Sequence, residues 1–252
     1  MFPIISLGPL SLPAPAFILI VGYLAGSFLL DKKTSSFSID SEIIDRALWI
    51  GTISALLGAR ISYIAGSPAA FKGNLISIIS LNPALLDPVG GLIIGIAAVF
   101  FVISKQKLDY WTFLDSLTPF LGSMIPAYFL SRFAAGDGYG LITDVPWGIY
   151  LWGAIRHPVQ LYLAVFSLIP LILILGYAPF KNSPSGSTFL LFSLATSGYT
   201  LFLTSFQEPR SILISGFRIG QIISWLFLLS TILLLNYRIR SSPIKEKNEG
   251  KE

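Results

Sequence analysis

Seven stretches of roughly 20 mostly apolar residues dominate this chain, and that length is what an α-helix needs to cross the hydrocarbon core of a bilayer. Hydropathy puts them at 14–30, 44–66, 88–104, 113–133, 158–176, 187–205 and 217–236. The fold class expected is all-α: a polytopic membrane protein with about seven transmembrane helices. Composition agrees, since 54% of the 252 residues are hydrophobic and only 12% are charged, against about 25% charged in a soluble domain. No internal repeat is evident, so residues 1–240 read as a single transmembrane domain. Residues 241–252 read as a short polar cytoplasmic tail, expected to be disordered. The start of the chain has neither a basic n-region nor a small-residue cleavage site, so the first apolar run is expected to be a retained helix.

Orientation follows from the lysines and arginines, which concentrate in cytoplasmic loops. Alternate loops are basic: Lys32 and Lys33, then Lys105 and Lys107, then Lys181, then Arg238, Arg240, Lys245, Lys247 and Lys251. This predicts an N-terminus outside and a C-terminus in the cytoplasm. It puts Lys72, the 134–157 segment and Arg210 on the outer side. Three segments between or before the spans look structured: 1–13, expected along the interface; 67–87, broken by Pro68, Pro83 and Pro88 and expected to be interfacial or re-entrant; and the glycine-rich 134–157, whose Trp147 and Trp152 suit the headgroup level.

Several chemistries are excluded. With no cysteine, disulfides, thiolate metal sites and a cysteine nucleophile are impossible. One histidine makes no histidine metal centre. The net charge of +4 is not gathered into an aromatic-interleaved basic patch, so nucleic acid is not an expected partner.

The charged residues a membrane chain retains are therefore informative. Arg132, Asp137, Asp144, Arg156 and the lone His157 fall within one short stretch between two apolar runs. Arg132 and Asp137 read equally as an ion pair tying a helix end to its loop or as parts of a site beside Gly136-Asp137-Gly138-Tyr139-Gly140. In Arg156-His157-Pro158-Val159-Gln160-Leu161-Tyr162, Pro158 suits a helix start. The bland reading is an anchored helix; the functional one has Arg156 on phosphate, His157 titrating near neutrality, and Gln160 and Tyr162 projecting into the same site. Arg60 reads as a snorkelling side chain or as a phosphate clamp. Gly90-Gly91-Leu92 reads as close helix packing or as a helix N-terminus facing an anion. Asp115 fits capping or packing better than catalysis. Arg218 and Gln221 open the last run. Arg60, Arg132, Arg156, Arg210 and Arg218 all fall toward the outer side, where the positive-inside bias does not explain them. An anionic ligand does, and a phospholipid headgroup is the natural one.

At these residues the chain resembles the prolipoprotein diacylglyceryl transferase family, bacterial membrane enzymes that lipidate lipoprotein precursors. The resemblance runs through most of the chain in order. It begins at Ser6-Leu7-Gly8-Pro9-Leu10-Ser11, passes through Gly58-Ala59-Arg60 and Gly90-Gly91-Leu92, and is most specific from Gly136 to Tyr162, including Thr143-Asp144-Val145-Pro146-Trp147. It closes at Glu208-Pro209 and Gly220-Gln221-Ile222-Ile223-Ser224. The family's seven helices, N-out and C-in, agree with the charge reading.

The resemblance implies transfer of a diacylglyceryl group from phosphatidylglycerol to the cysteine thiol of a prolipoprotein signal peptide, in the bacterial cytoplasmic (inner) membrane and without metal or soluble cofactor. Arg132, Asp137, Arg156 and His157 are the expected catalytic residues. Arg60, Gly90, Gly91, Tyr139, Gln160, Tyr162, Arg218 and Gln221 are the expected substrate-binding ones. The chain departs from the family at several positions. Val89 stands where a histidine precedes Gly-Gly-Leu, and Phe129 stands at the arginine of the fourth-helix Gly-Arg-x-Gly-Asn run, with Ser131 and Arg132 at its Gly-Asn positions. The first-helix tyrosine falls near Pro15, and Leu163 replaces the glutamate after Tyr162. Arg132, one turn on, is expected to supply the missing guanidinium. The competing reading is a non-catalytic homologue of the same fold that binds an anionic phospholipid, favoured by Val89. A transporter finds no support, without inverted repeats or paired broken helices. Nor does a serine protease, without a nucleophile run near His157.

Overall fold

The apolar runs are helices. A computed structural model of the chain describes residues 4–7, 10–34, 39–71, 78, 85–176, 183–208, 213–214 and 217–241. Among them are α1 (Ala14–Thr34), α2 (Ser41–Gly66), α3 (Pro88–Gln106), α4 (Tyr110–Ala135), α5 (Val159–Gly176), α6 (Ser187–Leu203) and α7 (Ile219–Ser241). Each coincides with an expected run to within a few residues. Three short antiparallel hairpins accompany them: β1 (Ile4–Leu7) with β2 (Leu10–Pro13), β3 (Ile149–Leu151) with β4 (Ala154–Arg156), and β5 (Leu213–Ile214) with β6 (Phe217–Arg218). The tail beyond Ser241, Lys72, Lys181 and Arg210 lie outside the described residues.

The chain is an all-α polytopic membrane protein. Six of its described helices, all but α4, are long and apolar enough to cross a membrane. Their large side chains point outward, as on α7, where Ile223, Trp225, Leu226, Leu229 and Leu233 are exposed; a lipid-facing surface has this composition. Helix α4 differs because its polar residues turn inward. Asp115, Ser116, Thr118, Ser123 and Ser131 are all buried, and it contains Pro119 and Pro126.

The chain divides into two compact units, residues 34–113 and residues 1–33 with 114–252. In the first, α2 and α3 meet along small residues. A Cβ on Gly91 would stand 2.7 Å from the Ala55 carbonyl oxygen, and one on Gly95 would stand 2.8 Å from the Ala55 methyl. Gly91 and Gly95 are spaced as Gly-x-x-x-Gly, the pattern that lets membrane helices approach to backbone contact. Helix α3 starts sharply, with Pro88 in its first turn and Asp87 capping the amides of Val89 and Gly90, each at 3.1 Å. The Ser62 hydroxyl donates to the same carboxylate at 2.5 Å. That bond and the two amides hold Asp87 below the usual carboxylate range.

In the second unit, α1 lies on α4. The Ser123 hydroxyl donates to the Gly22 carbonyl at 3.0 Å, and Tyr23 meets Phe120 edge-on. Helix α6 begins at Gly186 with no cap of its own. Asp115 of α4 supplies one, accepting from the amides of Gly186 at 2.6 Å and Phe189 at 2.8 Å. The capping role expected of Asp115 is thus the one it has.

Candidate functional site

The segment after α4 leaves the helix through two glycines in the left-handed region, Gly136 and Gly138, both with φ of 72°. Gly138 is required for space as well. A Cβ there would lie 2.8 Å from both Arg132 Nη2 and Gln207 Nε2. Beyond it the chain is extended and pairs on two sides. Gly140 and His157 exchange backbone contact through Gly140 N–H to His157 O at 3.1 Å, and His157 N–H reaches Leu141 O at 3.0 Å. On the other edge Leu141 N–H donates to Phe206 O at 2.8 Å and Glu208 N–H to Tyr139 O at 3.0 Å. A short three-segment ladder therefore fixes 139–141 between 155–157 and 206–208. The β3–β4 hairpin closes it with Trp152 and Gly153, both at positive φ, the geometry of a two-residue hairpin turn matched to strand twist. Trp152 Nε1 ties the turn back to Gly136 O at 3.2 Å.

The ladder positions two ion pairs. Arg132 Nη2 donates to Asp137 Oδ2 at 2.8 Å. Arg156 pairs with Glu208, donates from Nε to Leu151 O at 3.2 Å and from Nη1 to Gly140 O at 3.3 Å, and stacks its guanidinium 4.7 Å from the Tyr139 ring centroid. Arg156 is only 9% exposed. Such a guanidinium, with Nε and Nη1 both on fixed acceptors and its face on a ring, is held rigidly.

Beside these pairs lies a cavity of about 430 Å³. Its lining mixes apolar side chains, Tyr128, Phe129 and Leu163 among them, with polar ones, Arg132, Gln160, Glu208 and Gln221 among them. A cavity of this size suits a ligand headgroup with some chain attached. Gln160, 2% exposed, donates from Nε2 to Asp137 O at 2.9 Å, while its Oε1 has no partner. A buried acceptor left unmet costs about 1–3 kcal/mol.

The expected site residues are thus sorted. Arg132, Gln160 and Gln221 line the cavity, with Asp137, Tyr139 and Arg156 one contact behind it. His157 and Tyr162 are neighbours outside that lining. Trp147 Nε1–H donates to Tyr162 Oη at 2.7 Å, and Oη lies 3.3 Å from His157 Nδ1. An indole nitrogen only donates, so the phenol oxygen accepts there, with His157 Nδ1 as its second neighbour.

Arg60 and the Gly90-Gly91 pair belong to the other unit. Arg60 donates to Ile78 O and Leu85 O, both at 2.8 Å, and sits over the Phe71 ring; it is engaged with backbone rather than extended to the membrane surface. The amides of Gly90 and Gly91 go to the Asp87 carboxylate and carbonyl, both at 3.1 Å, and Gly91 packs on α2. That geometry fits the packing reading. Arg218 is described by its backbone alone.

Sequence reasoning left Gln207 and Glu208 out of the site. The available signal was that no other acidic residue occurs from 145 to 245. An isolated acid in so apolar a stretch needs a partner, and Arg156 is it.

A family model decides the relationship. The model for prolipoprotein diacylglyceryl transferase matches residues 3–237. The chain belongs to the prolipoprotein diacylglyceryl transferase family. Its relatives named phosphatidylglycerol–prolipoprotein diacylglyceryl transferase include one from Pseudoalteromonas atlantica, 28% identical over 254 residues, covering 96% of this chain and 91% of the relative. Another, from Mannheimia succiniciproducens, is 30% identical over 247 residues, with 92% and 88% covered. A third, from Campylobacter jejuni, is 30% identical over 207 residues, with 74% and 73% covered. In this member of the transferase family, Phe129, Arg132 and Leu163, read from the sequence as departures from the family pattern, all line the cavity. Val89 is an exposed residue of α3.

Proposed function

We propose that the chain transfers a diacylglyceryl group from phosphatidylglycerol to the cysteine thiol of prolipoprotein signal peptides, as a multi-pass enzyme of the bacterial cytoplasmic (inner) membrane. Family membership over nearly the whole chain supports the reaction. The observation that carries the assignment of the site is the mostly apolar cavity holding Arg132, which matches a phosphate joined to a lipid. In the step itself the thiolate sulfur, the reactive form of the acceptor, attacks the diacylglyceryl carbon that bears the phosphate oxygen. A C–S bond forms, the C–O bond breaks, and the electron pair leaves on glycerol phosphate. The thiol proton goes to a base and then to the phosphate or water. Arg132 stabilises the charge gathering on the leaving phosphate. Arg156 holds Glu208 and the Gly140 turn in place. Asp137 orients Arg132, and the base is drawn from the carboxylates of Asp137 and Glu208 or from His157.

In the same reading α4 is a seventh crossing, whose polar side is shielded by its neighbours. The N-terminus is outside and the C-terminus is cytoplasmic, so the cavity opens toward the outer leaflet. The test is complementation of a bacterium depleted of its own transferase, scoring thioether lipidation of a reporter lipoprotein. Lipidation that is clearly reduced in Arg132→Ala is the expected result. A well-expressed, membrane-inserted chain that lipidates nothing would overturn the reading.

A further inference from the structure

Both indoles of the α4–α5 connection spend their polar group on a helix end. Trp147 Nε1–H donates to Tyr162 Oη in the first turn of α5, and Trp152 Nε1–H donates to the carbonyl of Gly136, the residue that follows α4. The rings themselves face outward, 61% and 66% exposed. Ile142, Tyr150 and Ile155 are exposed beside them. Tyr150 and Ile155 are directly paired across the β3–β4 hairpin and so share one of its faces. From Gly138 to Ile155 the only charged residue is Asp144. An exposed patch this apolar marks a contact with something other than water.

Depth says what covers it. Helix α5 has 18 residues, which span about 27 Å at ~1.5 Å each, and the hydrocarbon core is about 30 Å thick. A crossing by α5 uses its whole length. Tyr162 then lies at the edge of the hydrocarbon, and Trp147, bonded to it, lies at the same level. The patch is also continuous with a lipid-facing surface. Tyr162 shares a helix face with Val165, Phe166, Ile169, Ile172 and Leu173, at spacings of three and four, and all five are exposed. The turn points the same way. Trp152 has φ of 53°, a conformation that suits Asn or Gly and is costly for a bulky side chain, yet its ring stays mostly outside the protein.

We propose that the β3–β4 hairpin is a membrane anchor. Its exposed side chains lie in the interface of the leaflet beside the cavity, rings at the headgroup level and aliphatic tips among the first acyl carbons. The exposed set holds no cation, so the anchor responds to apolar depth and not to lipid charge. Through the ladder that joins 155–157 to 139–141 it holds the mouth of the Arg132 cavity at that depth. The anchor stands whether or not the chain is an active transferase.

The chain has no cysteine, so one introduced thiol carries a nitroxide to a single place. Tyr150→Cys and Ile155→Cys are labelled in the full-length protein in phosphatidylcholine vesicles, and collisions with oxygen and with a water-soluble nickel chelate are compared. Val165→Cys sets the hydrocarbon end of the scale and Asp144→Cys the water end. The oxygen-to-nickel ratio in the two hairpin variants is expected to be roughly 10-fold above that of Asp144→Cys, because a polar chelate is excluded from apolar surroundings. Adding phosphatidylglycerol is expected to leave it unchanged. A ratio equal to that of Asp144→Cys would overturn the anchor. Protection from both colliders would overturn it as well, since it means a second copy or a peptide seated on the patch, and so would a ratio that rises only with phosphatidylglycerol. Intrinsic fluorescence gives a reading without a label. The emission that Trp152→Phe removes is expected to be quenched in vesicles of lipid brominated high on the acyl chain, and an unquenched difference would equally overturn the proposal.

Discussion

The α2–α3 pair and the ladder around Gly138 bring backbone close to backbone in opposite ways. Between α2 and α3 nothing intervenes. Each helix satisfies its own amides, so removing side chains at Gly91 and Gly95 is enough to let the two surfaces touch. Around Gly138 the backbone is irregular and is not covered by a helical ladder, so its amides turn to other backbone segments. Its carbonyls are met by side chains from distant parts of the chain: Gly136 O by Trp152, Asp137 O by Gln160, Gly138 O by Gln207 and Gly140 O by Arg156. Helix packing in a membrane asks only for small size, whereas a loop beside a membrane site asks for donors. The second arrangement is also the one that leaves polar groups free to face a ligand.

Substitutions that respect size and remove donors should separate the two regions. The largest effect is expected from Arg156→Ala, which takes donors from Gly140 O and Leu151 O and leaves Glu208 without its cation. Lipidation should fall at least ~100-fold, with about 3 kcal/mol lost from stability, the low end for a broken buried pair because Glu208 is partly exposed. Thermal unfolding in detergent alongside the reporter assay measures both. Arg156→Lys should restore little, since one ammonium cannot reproduce the fork.

Next comes Gly95→Leu, expected to cost about 3 kcal/mol by overpacking the α2–α3 contact. Gly95→Ala and Gly95→Ser should cost less and resemble each other, because this contact senses volume and not polarity. Large, unequal costs for those two would erase the contrast drawn here. Gln207→Leu is the converse: nearly the same volume, with the donor to Gly138 O removed, and an expected loss of about 1 kcal/mol. A silent Gln207→Leu would mean that the ladder, too, is held by packing.

The smallest effect is a pH dependence at the start of α3. Asp87 has a depressed pKa in the folded chain, chiefly through Ser62. Its contribution is present above the unfolded value and disappears as pH falls through the folded one. Ser62→Ala should therefore lower the unfolding temperature slightly at neutral pH and converge with the wild type in acid. NMR of a side-chain-labelled sample should show Asp87 titrating higher in the variant.

The helices were legible in the sequence because a membrane helix advertises itself by length and apolarity, and all seven described helices lie on the seven apolar runs. The site was legible only in part. Arg132, Asp137, Arg156 and Gln160 stood out because charge and amide are scarce in such a chain. The pairing of Gly140 with Gln207, 67 positions apart, was not legible, since a ladder of a few residues leaves no periodicity. Glu208 was missed for the same reason: its partner is 52 residues away and nothing local points to it. The inward polarity of α4 was visible as serines, threonines and prolines, but its meaning depended on which helices surround it.

The cap that Asp115 gives to α6 also bears on how the protein is made. A ribosome releases α4 before α6, so the carboxylate is already in place when Gly186 emerges, 71 residues later. The start of α6 is completed by a segment synthesised earlier, and a later half made without α4 would begin that helix with bare amides. The order of synthesis is thus part of the way this helix is held.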